Sequence, residues 1–373
     1  MRTGGLATMG AVVFRDTAFA RASRELTLYI GTYTSTTSEG IYVYRMNSET
    51  GELKKFSSIK SENPSFLTLD RSRRFLYAVN EVNQFEGKAS GAVSSYAIDA
   101  TGKLKFLNQQ ASMGADPCHL TVDRRRSSLL VANYTGGNLA LLPIRSDGTL
   151  EPAADIKRHE GKGIKEQQNG PHAHCIILDA SERYALAADL GIDKVMIYSF
   201  SPSLHELLPA RQPSASLKAG AGPRHLTLHP NGRFVYVINE LDSTLTTLKY
   251  NAGTLTTVDT VSTLPTGFSG TSYCADVHVS PSGKFLYGSN RGHNSIVVFA
   301  LDARTGKPTL VEHVSTEGKW PRNFVIDPAG RFLLVANQHT DNVVVFKIDP
   351  GTGRLQLSGQ VAEVPVPVCL KFR

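Results

Sequence analysis

Hydrophobic and polar positions along this chain fall into a unit that returns at a spacing of about fifty residues. Each unit opens Pro-x-x-apolar-x-apolar-Asp, passes a short polar turn and continues Arg-Phe-Leu-Tyr-Val-x-Asn. The opening run begins at Pro64 (PSFLTLD), Pro117 (PCHLTVD), Ala173 (AHCIILD), Pro223 (PRHLTLH), Cys274 (CADVHVS) and Pro321 (PRNFVID). Its partner runs are RFLYAVNE, SLLVANY, RYALAADL, RFVYVINE, KFLYGSNR and RFLLVANQ. These short apolar or alternating runs are rich in Val, Leu, Tyr and Phe and bounded by Gly, Asn, Asp or Pro, which is a strand signature. The turns HPNGR, SPSGK and DPAGR between them have hairpin chemistry, with Gly supplying a positive φ. A third apolar run follows each pair (GIYVYRM, GAVSSYAI and GNLALLPI are the first three), then a Gly-containing turn and a more polar fourth run.

The broken ends of the pattern set the count. Tyr29–Thr34 (YIGTYT) is a partner run with no opening run before it, and Pro367–Phe372 (PVCLKF) is an opening run with no partner after it. Six complete pairs and these two halves make seven. The expected fold is therefore all-β: a seven-bladed β-propeller with four antiparallel strands per blade. The C-terminal strand should close the ring by joining the first blade. Residues 24–373 form this body, while residues 1–23 lack the repeat and are expected to be a leader or a disordered N-terminus. Leu6 to Phe14 is mildly apolar and Ala18-Phe-Ala-Arg-Ala22 offers small cleavage positions, but Arg15-Asp16 interrupts before them. The expected location is the cytoplasm, with export to the periplasm as the alternative if residues 1–22 act as a signal peptide.

Composition narrows the partners. Charged residues make up 20% of the chain and the net charge is +7. The basic runs Arg71-Ser-Arg-Arg74 and Arg124-Arg-Arg126 fall in predicted turns, where short charge runs solvate a surface. There is no continuous basic stripe with interleaved aromatics, so nucleic acid is not an expected partner. No apolar run reaches the length of a membrane span, so no membrane partner is expected either. The positive bias suits a small anionic substrate. The body is expected to be a monomer or a weak homodimer. Cys118, Cys175, Cys274 and Cys369 match no disulfide or zinc spacing and read as buried filler, so no metal and no cofactor is expected.

Hairpin geometry then groups side chains. The start of each opening strand and the end of its partner must lie at one end of the ring. Arg224 and Glu240 flank the hairpin at Gly232, Asp276 and Arg291 that at Gly283, and Arg322 and Asn337 that at Gly330. His174 and Asp189, and His119 and Asn133, flank the two hairpins before them. One mouth of the channel is thus expected to collect Arg, His, Asp and Glu. The recurrent Asn (Asn80, Asn133, Asn239, Asn290, Asn337) suits a structural role bonding nearby backbone. His174, Arg224, Glu240 and Arg291 vary between repeats, so the fold does not demand them.

The stretches YIGTYT, NPSFLTLD, GPHAH, GPRHLTLHPNGRFVYVINE and SNRGHNSIVVF resemble the lactonase-type seven-bladed propellers. That group includes bacterial propeller-type 6-phosphogluconolactonases and fungal carboxy-muconate lactonizing enzymes. The resemblance spans residues 28 to 349. It implies a lactone hydrolase acting on a small anionic sugar lactone, 6-phosphoglucono-1,5-lactone above all, as in the pentose phosphate pathway. It also implies His174, Arg224, Glu240 and Arg291 as catalytic groups. His119, His172, His225, Asp276 and Arg322 are expected to contact substrate, with His172 the neighbouring alternative to His174. Glu240 or His174 would activate water, and Arg224 and Arg291 would hold the oxyanion and the anionic end. Arg224 and Glu240 could instead form only a salt bridge. A cycloisomerase acting on a dicarboxylate, a metal-dependent lactonase using Asp189 and Asp276, and a non-enzymatic scaffold remain as alternatives. No GxSxG elbow and no Gly-rich phosphate loop occurs. Residues 157–172 form a loop whose Lys162 and Lys165 could cover the mouth.

Overall fold

Each repeat folds into one four-stranded antiparallel sheet, with the Pro-x-x-apolar run innermost and the polar run at the outer edge. The computed structural model describes Met1 and residues 25–373, so the expected leader at residues 1–23 lies outside the described residues apart from Met1. Seven such sheets form, and their innermost strands touch in cyclic order until the last meets the first. Closure follows the broken ends of the repeat: Pro367–Phe372 pairs with Glu25–Thr32, with Leu28 opposite Phe372 and Ile30 opposite Leu370. Among the described residues no helix is long and apolar enough to cross a membrane.

The repeated residues hold the blades together. Asp70, Asp123, Asp179 and Asp327, at the ends of opening strands, each accept two backbone N–H groups across the hairpin. Three of the turns place Gly232, Gly283 and Gly330 at φ near 70° (69, 72 and 69), the left-handed region that glycine tolerates. Neighbouring blades pack through fully buried aromatics. Tyr29, Tyr236 and Tyr287 each donate their hydroxyl to a glycine carbonyl in the next blade, at 2.9, 3.0 and 2.9 Å. A buried Tyr contributes about 1.5–3 kcal/mol of apolar burial while that bond satisfies its polar tip.

The recurrent Asn has a longer reach than its own turn. Asn80, Asn133, Asn290 and Asn337 donate to the carbonyls of Glu62, Ser112, Thr263 and Thr316, at 2.6 to 3.0 Å. Those carbonyls lie just beyond the outer strand of the preceding blade. Each Asn therefore ties down the segment that crosses between blades. Asn239 instead bonds Thr244 and Thr246 within its own blade. All four cysteines are buried and free, as filler should be.

Candidate active site

A β-bulge decides which side chains reach the axis. In six of the seven inner strands the register slips by one or more residues near the first hairpin pair, for example between Pro223 and His225. The extra residue lets two successive side chains face the channel. The residues at the slip, Cys118, His174, Arg224 and Arg322, form an upper layer. The residues after it, His119, His225 and Asn323, together with Asp276 inside the two-residue slip of its own strand, form a layer beneath.

The upper layer encloses a chamber of about 210 Å³, lined by Glu81, Cys118, Tyr134, His174, Arg224, Glu240, Arg291 and Arg322. Both oxygens of Glu240 are engaged: Oε2 by Nη1 of Arg224, and Oε1 by Nη2 of Arg291 at 2.9 Å. Arg224 also donates Nε to the Ala275 carbonyl at 3.0 Å, and Arg291 donates Nη2 to that of Cys274 at 2.9 Å. Arg291 lies over Trp320, 5.3 Å from the ring centre, and its buried Nε has no partner among the described residues. Burial alone would raise the Glu240 pKa, but the two guanidiniums overcome it and hold the carboxyl down at about 2. Arg291 is lowered to about 10, because its burial outweighs the attraction of Glu240. Arg322 faces a second carboxylate. Its Nη2 is 3.9 Å from Glu81 Oε1, which also accepts the Tyr33 hydroxyl at 2.8 Å, while Ser65 donates to Glu81 Oε2. His174 is buried, and among the described residues its Nδ1 has no hydrogen-bond partner. Its burial, and then the charge of Arg224, keep the imidazole neutral well below the ordinary histidine range.

The single mouth expected from hairpin geometry is thus two layers. His119, His225 and Asp276 stand beneath the chamber and do not line it. His119 sits 4.1 Å from the Phe66 ring, accepts the Ile176 N–H at Nδ1 and lines a second cavity, of about 210 Å³, on the floor side. Asp276 is bound to His225, His278 and Asn323, and does not approach Arg291 as expected. His172 stacks on Tyr134 at 4.5 Å, outside the chamber wall, and bonds the Tyr134 carbonyl and Asn169. Asp189 is turned away from the axis to a buried His159, 2.6 Å distant. Lys165 binds the Leu241 carbonyl beside Glu240, whereas Lys162 is exposed. Tyr33, Glu81 and Tyr134 were not expected at the site. Glu81 carries a visible signal: it follows Asn80 as Glu240 follows Asn239, and only these two repeats end Asn-Glu. Among the described residues no group of three or more His, Cys, Asp or Glu is placed to hold a metal ion.

Fold and chamber together define a class: a closed seven-bladed ring whose axis ends in a cationic pocket with clamped carboxylates and a neutral imidazole. Comparison with known proteins narrows it. Residues 27–372 match the family model described as lactonase, 7-bladed beta-propeller. The chain is 38% identical over 348 residues to the 6-phosphogluconolactonase of Bacillus subtilis, covering 92% of this chain and 97% of that one. It is 35% identical over 310 residues to a 6-phosphogluconolactonase of Formosa agariphila, covering 80% and 86%. The solved structure of the periplasmic gluconolactonase of Pseudomonas aeruginosa superposes with a TM-score of 0.89 at 35% identity, covering 93% of this chain and 99% of that one. The chain belongs to the seven-bladed β-propeller lactonase family.

Proposed function

We propose that this protein hydrolyses an anionic sugar lactone, 6-phosphoglucono-1,5-lactone foremost, to the open-chain acid. The observation that carries this is the convergence of Arg224, Arg291 and Arg322 on one chamber against only two carboxylates, Glu81 and Glu240. Among the described residues, the bonds of Arg224 run through Nε and Nη1 and those of Arg291 through Nη2, which leaves Nη2 of Arg224 and Nη1 of Arg291 unengaged. They suit an anion and the oxyanion that forms when water adds to the lactone carbonyl. Similarity to lactonases of known name supports the same reaction.

Glu240 is not the base in this scheme. Both of its oxygens are taken by the guanidinium groups of Arg224 and Arg291, so neither is turned to a water. Its role is to fix Arg224 and Arg291 side by side and temper their repulsion. The proton acceptor is a neutral imidazole at the chamber wall or floor. His174 contacts the bound lactone from the wall.

The direct test is the purified protein with freshly made 6-phosphogluconolactone, its rate measured above spontaneous hydrolysis. A clear acceleration is expected, with weaker turnover of unphosphorylated gluconolactone. No acceleration of either lactone would overturn the hydrolase assignment, and turnover of a muconate-type dicarboxylate in their place would favour the cycloisomerase. The proposed compartment is the cytoplasm, where sugar phosphates are made and retained. The periplasmic relative makes export the second possibility. N-terminal sequencing of the mature protein separates the two.

A further inference from the structure

Between the chamber and the channel floor lies a cavity of about 10 Å³, the size of one water. It shares Glu81, Cys118, His174, Arg224 and Arg322 with the chamber wall, so it opens beneath the place where a lactone would sit. His225 lines this cavity but not the chamber. Its Nδ1 is 2.8 Å from Asp276 Oδ1. Asp276 is held from several sides: the Val277 N–H at 2.9 Å on Oδ1, and His278 Nε2 at 2.9 Å and the Asn323 amide on Oδ2. Such a donor set keeps it ionised. Burial would raise its pKa, but His278 and His225 outweigh burial and hold it well below the ordinary range. An ionised Asp276 can only accept, so Nδ1 of His225 carries the proton and Nε2 keeps its lone pair. This is an imidazole with one nitrogen committed to a carboxylate and the other free for a water, the arrangement that makes histidine a directed base. Among the described residues, Nδ1 of His174 has no such carboxylate or any other hydrogen-bond partner.

We propose that the cavity seats the hydrolytic water, that Nε2 of His225 is the general base, and that Asp276 positions it. The proposal rests on the lactonase function above and deepens it. In the step, the water oxygen bonds to the lactone carbonyl carbon, and the carbonyl π pair moves to oxygen beside the arginines. One water proton passes to His225 Nε2. The oxyanion then re-forms the carbonyl, the bond from that carbon to the ring oxygen breaks, and the ring oxygen takes the proton back from His225. The new carboxylic acid releases its own proton to solvent.

Two variants of the full chain test this, Asp276→Asn and His225→Gln, each checked for a native circular dichroism spectrum. Each is expected to lower kcat by about 10²-fold with KM changed less than about threefold, the size of effect that general base catalysis carries. The double variant should be no worse than either single one, because the two residues act as a unit. A merely structural Asp276 would not produce that split. Independently of turnover, ¹⁵N-histidine NMR of the wild-type protein should show His225 protonated at Nδ1, with its signal identified by loss in His225→Gln. Wild-type kcat in a folded His225→Gln, or a wild-type His225 protonated at Nε2, overturns the proposal. If the wild-type protein opens no lactone, the functional assignment fails by itself, while the tautomer still decides whether His225 and Asp276 are arranged as a base. If Asp276→Asn does not fold, His225→Gln and the wild-type tautomer remain decisive.

Discussion

The two ends of each blade hairpin carry opposite kinds of sequence. At the turn end, Asp70, Asp123, Asp179 and Asp327 repeat one residue and one job, closing the hairpin backbone. At the mouth end, the residue after the Asn position is Tyr33, Glu81, Tyr134, Leu190, Glu240, Arg291 and Gln338 in order round the ring. A closed ring needs each blade to be made alike, so positions that build it converge. A pocket at the axis sees every blade at once, so each blade is free to supply a different group. Chemistry in this protein is written where the repeat is irregular.

That contrast breaks if mouth variants unfold the ring or turn variants slow turnover. The largest effect expected is in Glu240→Gln. It releases two buried arginines and should lower kcat/KM by about 10²-fold or more, measured as lactone hydrolysis above background. His174→Ala should cost about tenfold or more in the same assay. Wild-type rates in both would remove the chamber from the mechanism. At the other end, Asp327→Ala leaves three backbone N–H groups, of Ala329, Arg331 and Phe332, without their acceptor and should cost about 1–3 kcal/mol of stability, read as a lower thermal midpoint. Its kcat should not change, and a tenfold loss there would show that the two ends are coupled. The smallest effect is in pH. Burial keeps His119, His174 and His225 neutral in the folded ring. Their folded pKa values lie below the ordinary 6.5, with His225 at about 4, so the stabilisation is present above pH 6.5 and fades as pH falls towards 4. The thermal midpoint should therefore drop between pH 7 and pH 5, and His119→Gln should flatten that slope. A midpoint unchanged over this range would contradict neutral burial.

Much of the ring was legible because its cause is local and periodic. Alternation, turn glycines and the two half-units at the ends were enough for blade count and closure. The site was legible only in part. Arg224, Glu240, Arg291 and His174 could be placed at one end because a hairpin brings its ends together. Whether His225 and Asp276 shared that layer could not be read, since a bulge leaves no trace in the alternation of a six-residue strand. It shifts side chains by one level along the axis, and that is the distance between chamber wall and floor. Glu81 is the opposite case. Its Asn-Glu ending, shared only with Glu240, was a departure open to view in the sequence, and its meeting with Tyr33 and Arg322 shows what that departure does.

The strand that closes the ring also sets a timetable. Leu28 finds its partner in Phe372, so the first blade cannot be completed until nearly all of the chain exists. At ordinary rates of synthesis that wait is on the order of tens of seconds. Throughout it, Glu25–Thr32 has a free inner edge beside blades that are already forming. The nascent protein must spend that interval as an open arc, its chamber incomplete and its first sheet short of a strand. Whatever keeps that edge from pairing with a neighbouring chain on the same messenger matters as much to the yield of active protein as the stability of the finished ring.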